Sequence, residues 1–436
     1  MNIKKLIFLA ASLLICKVYG QNNQIPPKLK DLVEQSFQKY PKIESMNQVI
    51  ELNNVQVELA KGGYLPVALG SLAYRRLYPI PSITLPITTP PLNIQFAPAD
   101  NYNAGIDVAQ PIIDFGTGAK VGKAKSNLKT ASDNLENYKS QLAYQIAQVY
   151  YSIIFLNKSI LVQKQQLDLL KANLDQISVK IQNGSALKYD LLTTQVQYTN
   201  TENYYADLLT QRNKQYNTLN MLTGVTENNI NDSIIAQNIF AVVTDSISTL
   251  ALARNPEIRI ANDKIETAQW DILAARRMRA PTLNLLAGAG FKNGYEPNIE
   301  TEKFNYYVGA GISIPILPAS RPSMQQHLAE ISVTTYKLDR ETQAMTLNNN
   351  VLNALQDVQN NEQKYSRSDD LVKQAQMALE LATQRYKDGV NTNLDLLTAQ
   401  TNFQNAMLSK LQFEYNLLIS KMSVSQLAGN KWWLEK

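Results

Sequence analysis

Two carboxylates, Asp190 and Asp395, each stand six residues after a glycine, Gly184 or Gly389, and each opens a short leucine run: Asp190-Leu191-Leu192 and Asp395-Leu396-Leu397. An acid in that position can cap the first turn of a helix and complement its dipole. Brought to one axis by symmetry, several such acids would instead concentrate cations. Few other residues offer chemistry. His327 is the sole histidine and Cys16 the sole cysteine among 436 residues, which excludes a His/Cys metal cluster, a Cys/His nucleophilic pair drawn from several candidates, and an intrachain disulfide. No nucleophile elbow, facing acid pair or metal set is found, so neither catalysis nor a cofactor is expected. Lys plus Arg (42) exceeds Asp plus Glu (37) by only five, and the charges are scattered; no nucleic-acid partner is expected. Arg276, Arg277 and Arg279 read as solvated or headgroup-contacting, His327 as a solvated surface residue, and Trp432 and Trp433 as packing residues.

The elements that must position Asp190 and Asp395 come in two copies. Asn183-Gly184 through Leu192 recurs as Asp388-Gly389 through Leu397, Tyr40-Pro41-Lys42-Ile43 as Asn255-Pro256-Glu257-Ile258, and Leu222-Thr223-Gly224 as Leu427-Ala428-Gly429. The chain is therefore a duplication of a unit of about 200 residues. From Val121 to Ile181 apolar residues recur in alternating threes and fours, a heptad seam with one polar member, Gln163. At Tyr138, Leu142 and Ile146 two fours follow each other, a stutter that relaxes the supercoil. A helix over about 119–182 would be ~96 Å long. Gly184 ends it, and a return helix follows over about 188–223. The second copy repeats this with a more polar seam through Leu328, Ile331, Leu338, Met345 and Leu352, also read as core packing.

Between paired prolines the period falls to two. Tyr306, Val308, Ala310 and Ile312 alternate with Tyr307, Gly309, Gly311 and Ser313. Leu283, Leu285, Ala287 and Ala289 alternate with Asn284, Gly288 and Gly290, and Tyr102, Ala104, Ile106 and Val108 with Asn103, Gly105 and Asp107. Strands of about ten residues with one apolar and one small or polar face suit a bilayer on one side and a lumen on the other. Tyr74, Tyr78, Phe291, Tyr295 and Phe304 crowd one end, as an interfacial girdle would. Six prolines between Pro79 and Pro98 predict an extended external loop. Four strands cannot close a barrel, and lipid tolerates no open edge, so several chains must contribute.

Residues 1–20 carry Lys4 and Lys5, the apolar run Leu6 to Cys16, and Val18-Tyr19-Gly20 before Gln21, the pattern of a cleaved export signal. Ile15 stands where lipidation of Cys16 would need a small residue. Nothing later supplies ~20 consecutive apolar residues, so any membrane insertion must use strands.

Taken together, these features resemble the TolC family of outer-membrane efflux and secretion ducts. The most specific pieces are Arg385-Tyr386 with Gly389, Asp395-Leu396-Leu397 with Ala399-Gln400, and the Asn-Pro helices that lead into Pro-bounded strands. The resemblance implies a mainly α protein with a transmembrane β part, in which a homotrimer forms a 12-stranded barrel continued by an α-helical barrel into the periplasm. It implies a non-enzymatic duct in contact with outer-membrane lipid, partnered by a periplasmic adaptor protein and an inner-membrane pump. By the same resemblance, the entrance would involve Asp395, Tyr386 and Thr398, and the adaptor would meet the turns at Gly184, Asp190 and Gly389. Thr398 replaces an acid, and Asn391 an arginine, found in some members, departures that bear on how tightly the entrance closes. The rival reading is an exported coiled-coil scaffold that never enters a membrane. The expected organisation is a signal peptide (1–20), an N-terminal segment with short helices (21–63), a first membrane hairpin with its Pro-rich loop (64–112), and a first helical hairpin (113–224). An equatorial linker (225–254), a short helix (255–280), a second membrane hairpin (281–315), a second helical hairpin (316–429) and a C-terminal tail (430–436) follow.

Overall fold

A computed structural model describes residues 26–227, 229–230, 247–316 and 320–434. The export signal, Cys16 and most of the linker lie outside them. In chain order the elements are α1 (Pro27–Lys39), α2 (Pro41–Lys61), β1 (Val67–Arg76), β2 (Ser82–Leu85), β3 (Leu92–Gln95), β4 (Asp100–Ile113), α3 (Phe115–Gln182) and α4 (Lys188–Thr223). The second copy gives α5 (Ile247–Arg254), α6 (Pro256–Arg277), β5 (Thr282–Lys292), β6 (Lys303–Ser313), α7 (Ser320–Lys387) and α8 (Asn393–Leu427). The duplication is plain in the lengths: α3 and α7 have 68 residues each, and α4 and α8 have 36 and 35. Pro27, Pro41 and Pro256 each stand first in a helix, where a missing N–H costs nothing. Two compact units arise, one from residues up to Asn47, Asp133–Arg259 and Glu341 onward, the other from Gln48–Ser132 and Ile260–Arg340.

In the first unit the heptad seam of α3 is buried, and the stutter region is buried on more than one face. Leu142, Ile146 and Ile153 are inside, and so are Ala143, Ala147 and Tyr151. A helix enclosed on several sides has no single seam to follow, which is why its spacing departs from the regular heptad. Ser36 of α1 donates to the Leu222 carbonyl (2.7 Å) near the end of α4. Trp432 and Trp433 are buried edge-to-face (5.6 Å between centroids), with Phe37 against Trp433 at 6.1 Å.

Gln163, the polar exception of the seam, is buried and donates to the Thr201 carbonyl (3.0 Å) while accepting from Gln404 of α8. Buried amides are costly only when a partner is lost. Gln163→Leu alone should therefore destabilise the fold by about 1–3 kcal/mol, because it strands Gln404. Gln163→Leu with Gln404→Leu should recover most of that loss. Urea unfolding followed by helicity checks the pair, and additive losses would contradict the coupling.

The apolar stripe of α7 requires a correction. Leu328, Ile331, Leu338, Met345 and Leu352, read as core, are exposed within the chain; Met345 retains 65% of its surface. Along the same stretch α7 buries Ala329, Val333, Leu347, Val351, Ala354 and Val358, on the opposite face. The period was right, but the face that makes the intrachain contact, mostly Ala and Val with Leu347, is the other one, and it leaves the Leu, Ile and Met stripe without cover from its own chain.

In the second unit the four long strands form one antiparallel sheet in the order β1-β4-β5-β6. Its faces follow the alternation: Val108, Ala287 and Leu285 pair in one layer with Val308 and Ala310, and Asp107, Gly288 and Tyr307 pair in the other. The apolar face is bare, with Leu72 88% and Val308 80% exposed. Gly105 and Gly290 face each other so closely that a Cβ on Gly290 would lie 2.3 Å from the Ala104 carbonyl oxygen, so only glycine permits this pairing. The Pro-rich loop is more ordered than its composition suggested. β2 and β3 pair within it, and all six prolines fall outside the paired residues, where no ladder N–H is needed. At the loop base, buried Asn293 acts as a substitute rung: its side chain accepts from the Tyr102 N–H (2.8 Å) and donates to the Asp100 carbonyl (2.6 Å). The three arginines at the end of α6 also make specific contacts. Arg277 donates to the Phe115 carbonyl (3.0 Å), Arg279 to the Ser323 hydroxyl, and Arg276 lies 3.9 Å from Glu330. They stay at the surface, Arg276 and Arg279 exposed as expected, and in addition tie α6 to the starts of α3 and α7.

Candidate functional site: the turns between the long helices

Gly184 and Gly389 end α3 and α7 with φ of 72° and 74°, the left-handed conformation that costs glycine nothing. Both turns close with the same pair of backbone bonds. Ser185 N–H reaches the Lys180 carbonyl (2.8 Å) and Gly184 N–H that of Ile181 (3.0 Å); Val390 N–H reaches Arg385 (2.9 Å) and Gly389 N–H reaches Tyr386 (3.3 Å). No atom lies within 4 Å of a Cβ built on either glycine, so the requirement is conformational rather than steric, and the turns are exposed.

Asp395 sits at the third position of α8 in a reciprocal cap. Its carboxylate accepts from the Thr392 N–H (2.9 Å) and hydroxyl (2.7 Å), while the Thr392 hydroxyl accepts from the Asp395 N–H (3.2 Å). The Thr392 hydroxyl, and behind it the Thr392 N–H, hold this exposed carboxyl below the usual aspartate range, so it is charged at neutral pH. Asp190 makes half of the same device: it accepts from the Leu187 N–H (3.2 Å), but the leucine side chain offers no acceptor, and the Asp190 N–H turns to the Leu187 carbonyl (3.0 Å). The capping role read for both acids is thus present, complete at Asp395 and partial at Asp190. Thr398 is exposed one turn into α8 and bonds back to the Leu394 carbonyl (2.8 Å).

The two turns are joined. Lys180 of α3 stands over the ring of Tyr386 of α7, 4.3 Å from its centroid, a cation–π contact between the tips of the two hairpins. One layer in, Asn393 donates to the Thr194 hydroxyl (2.9 Å) and the Asp190 carbonyl (3.4 Å) of α4, and accepts from Asn173 of α3 (3.2 Å). Asn393, Asn173 and Thr194 are all buried. Sequence reasoning singled out neither Lys180 nor this amide cluster. A polar residue next to a heptad seam, as at Asn173, is the signal that would have found it. The Asn173 carbonyl oxygen has no protein hydrogen-bond partner, so the cluster is not fully satisfied. Among the described residues no group of three His, Cys, Asp or Glu is placed to hold a metal ion.

The chain thus carries both an open sheet with a bare apolar face and duplicated 68-residue helices turned by exposed glycines, the pattern of the outer-membrane ducts. No described helix is long and apolar enough to cross a membrane. A family model described as outer membrane efflux protein matches residues 36–225 and 247–430, and the chain belongs to that family. The pyoverdine export outer membrane protein OpmQ of Pseudomonas putida is 24% identical over 191 residues, 44% of this chain and 40% of that protein. The outer membrane efflux protein BepC of Brucella suis is 18% identical over 431 residues, covering 96% of this chain and 89% of that one. A crystal structure of CusC matches with a TM-score of 0.78 at 16% identity, over 92% of each chain, a likeness of fold. The TolC-like architecture expected from the sequence is therefore the one found, and the protein is an outer-membrane efflux channel.

Proposed function

We propose that three copies of this chain assemble into a passive duct that takes solute from an inner-membrane pump through a periplasmic adaptor protein and releases it outside the cell. The observation that carries this reading is the unfinished sheet. Among the described residues β1 and β6 have a strand neighbour on one side only, and the apolar face they border is bare. Unpaired strand edges are untenable in lipid, and three sheets of four strands would close on one another as a 12-stranded barrel. The exposed stripe of α7 supports the same assembly, since Leu338, Met345 and Leu352 recur at heptad spacing and would be covered by a neighbouring copy. Residues 64–112 and 281–315 would then be the membrane hairpins, and 113–224 and 316–429 the helical walls. The turns at Gly184 and Gly389 with Asp190 would meet the adaptor, and Asp395, with Tyr386 and Thr398, would line the entrance. The duct needs no catalytic residue and no cofactor.

Detergent extraction followed by mass measurement tests the assembly. The protein is expected as a trimer, with strand content lost when the trimer is dissociated. A folded monomer in detergent would overturn the barrel, and recovery wholly in the soluble fraction would favour the scaffold reading.

A further inference from the structure

Across the middle of the sheet, one layer of side chains crosses three strands. Asp107, Gly288 and Tyr307 are direct neighbours on β4, β5 and β6, on the face opposite the apolar one. The ring of Tyr307 lies over Gly288, where a Cβ would come within 2.4 Å of its Cε1 atom, and its hydroxyl donates to Asp107 Oδ1 at 2.7 Å. Leu69 of β1 completes the layer beside Asp107. Between the Asn103 level and the helical end of the strands, Asp107 is the one Asp, Glu, Lys or Arg on this face among the described residues. The cations on the same face, Lys292 and Lys303, pair at the level of Asn103, and Arg75 faces Asn101 farther out. Four residues of strand are about 13 Å, more than the ~8 Å Debye length, so the carboxylate and the outer cations act on separate stretches of the lumen.

We infer that Asp107, held against the wall by Tyr307 across Gly288, is the charge filter of the membrane-spanning part of the duct and favours cationic over anionic solutes at that depth. This rests on the reading of the sheet as part of a closed lumen. A phenol donates a hydrogen bond to the carboxylate and brings no charge of its own. The missing Cβ at Gly288 lets the ring lie along the wall, so Tyr307 is a positioning residue for Asp107.

A reporter cysteine reads the local potential without depending on conductance through the entrance. Ser71 faces Gly105, one diagonal step from Asp107, and Leu72 lies on the opposite face. In a Cys16→Ser background, Ser71→Cys should react from outside the cell with both a cationic and an anionic methanethiosulfonate reagent. Asp107→Asn should lower the cationic-to-anionic rate ratio roughly fivefold at low ionic strength, the unscreened Coulomb expectation for one carboxylate acting through water at the ~8 Å of a diagonal neighbour, and about twofold at physiological salt. Asp107→Glu should preserve the ratio. Raising salt to about 1 M should lower it in the protein that keeps Asp107, which tests the inference even if the Asn variant fails to assemble. An unchanged ratio in Asp107→Asn, or indifference to salt, would overturn the filter and leave the duct intact. A reactive Leu72→Cys beside an inert Ser71→Cys would overturn the face assignment and the barrel reading with it.

Discussion

Arginine in place of Ala310 or Ile312 should cost membrane assembly about 2–4 kcal/mol at each site near the bilayer midplane. Both residues lie on the apolar face of β6, opposite Leu285 and Leu283 of β5. Ile312 is exposed in the chain, so lipid is what it would meet. Gly311 lies between them and points the other way, opposite Asn284, where a Cβ would make only ordinary contact with Leu286 (3.6 Å). Gly311→Arg should therefore assemble and instead obstruct the lumen. The measurement is the trimer fraction in outer membranes for all three variants, with single-channel conductance for those that assemble. Similar losses at the three positions would refute the two-faced sheet.

This contrast between adjacent residues was legible in the sequence because a strand sends successive side chains to opposite faces, so a period of two is itself a map of the two solvents. The long helices were equally legible, since their seam needs only spacing. Spacing does not say which of two apolar stripes meets the same chain. On α7 the exposed stripe is Leu338, Met345 and Leu352, while the intrachain contact is made by Val333, Leu347, Val351, Ala354 and Val358. A coiled-coil wall shared between copies must carry both stripes, and only coordinates divide them. The hairpin inside the Pro-rich loop was hidden for a different reason. Six prolines dominate the composition, yet the four-residue alternation Ser82-Ile83-Thr84-Leu85 survives between them. At the turns, Gly184, Gly389 and both aspartates were readable from local rules of helix ends. The Asn173–Asn393–Thr194 cluster was not, because it joins residues up to 220 positions apart and its members look like ordinary polar surface taken one at a time.

The cap at Asp395 shapes the second prediction. Because Thr392 supplies both a hydroxyl and an N–H to the carboxylate, an asparagine there can still accept from them through its amide oxygen. Asp395→Asn is therefore expected to remove the charge while preserving most of the turn. Three copies near one axis would lose a cation-concentrating ring, with reduced cation preference and weaker block by divalent ions in planar-bilayer recordings. The preference in the unaltered protein should fade at high ionic strength, since it acts within about a Debye length, ~8 Å at physiological salt. Asp190→Asn serves as the comparison, since Asp190 makes the same N–H contact at the other turn but, in the proposed assembly, would meet the adaptor and not line the entrance. It should leave both selectivity and assembly unchanged. The low pKa of Asp395 gives the prediction a pH sign: a depressed carboxyl supports the folded turn above the ordinary aspartate range and loses that support only as pH falls through its own lower value. If Asp395→Asn weakens the fold and leaves ion selectivity as it was, the residue is a helix cap alone, and the entrance must be lined by something else.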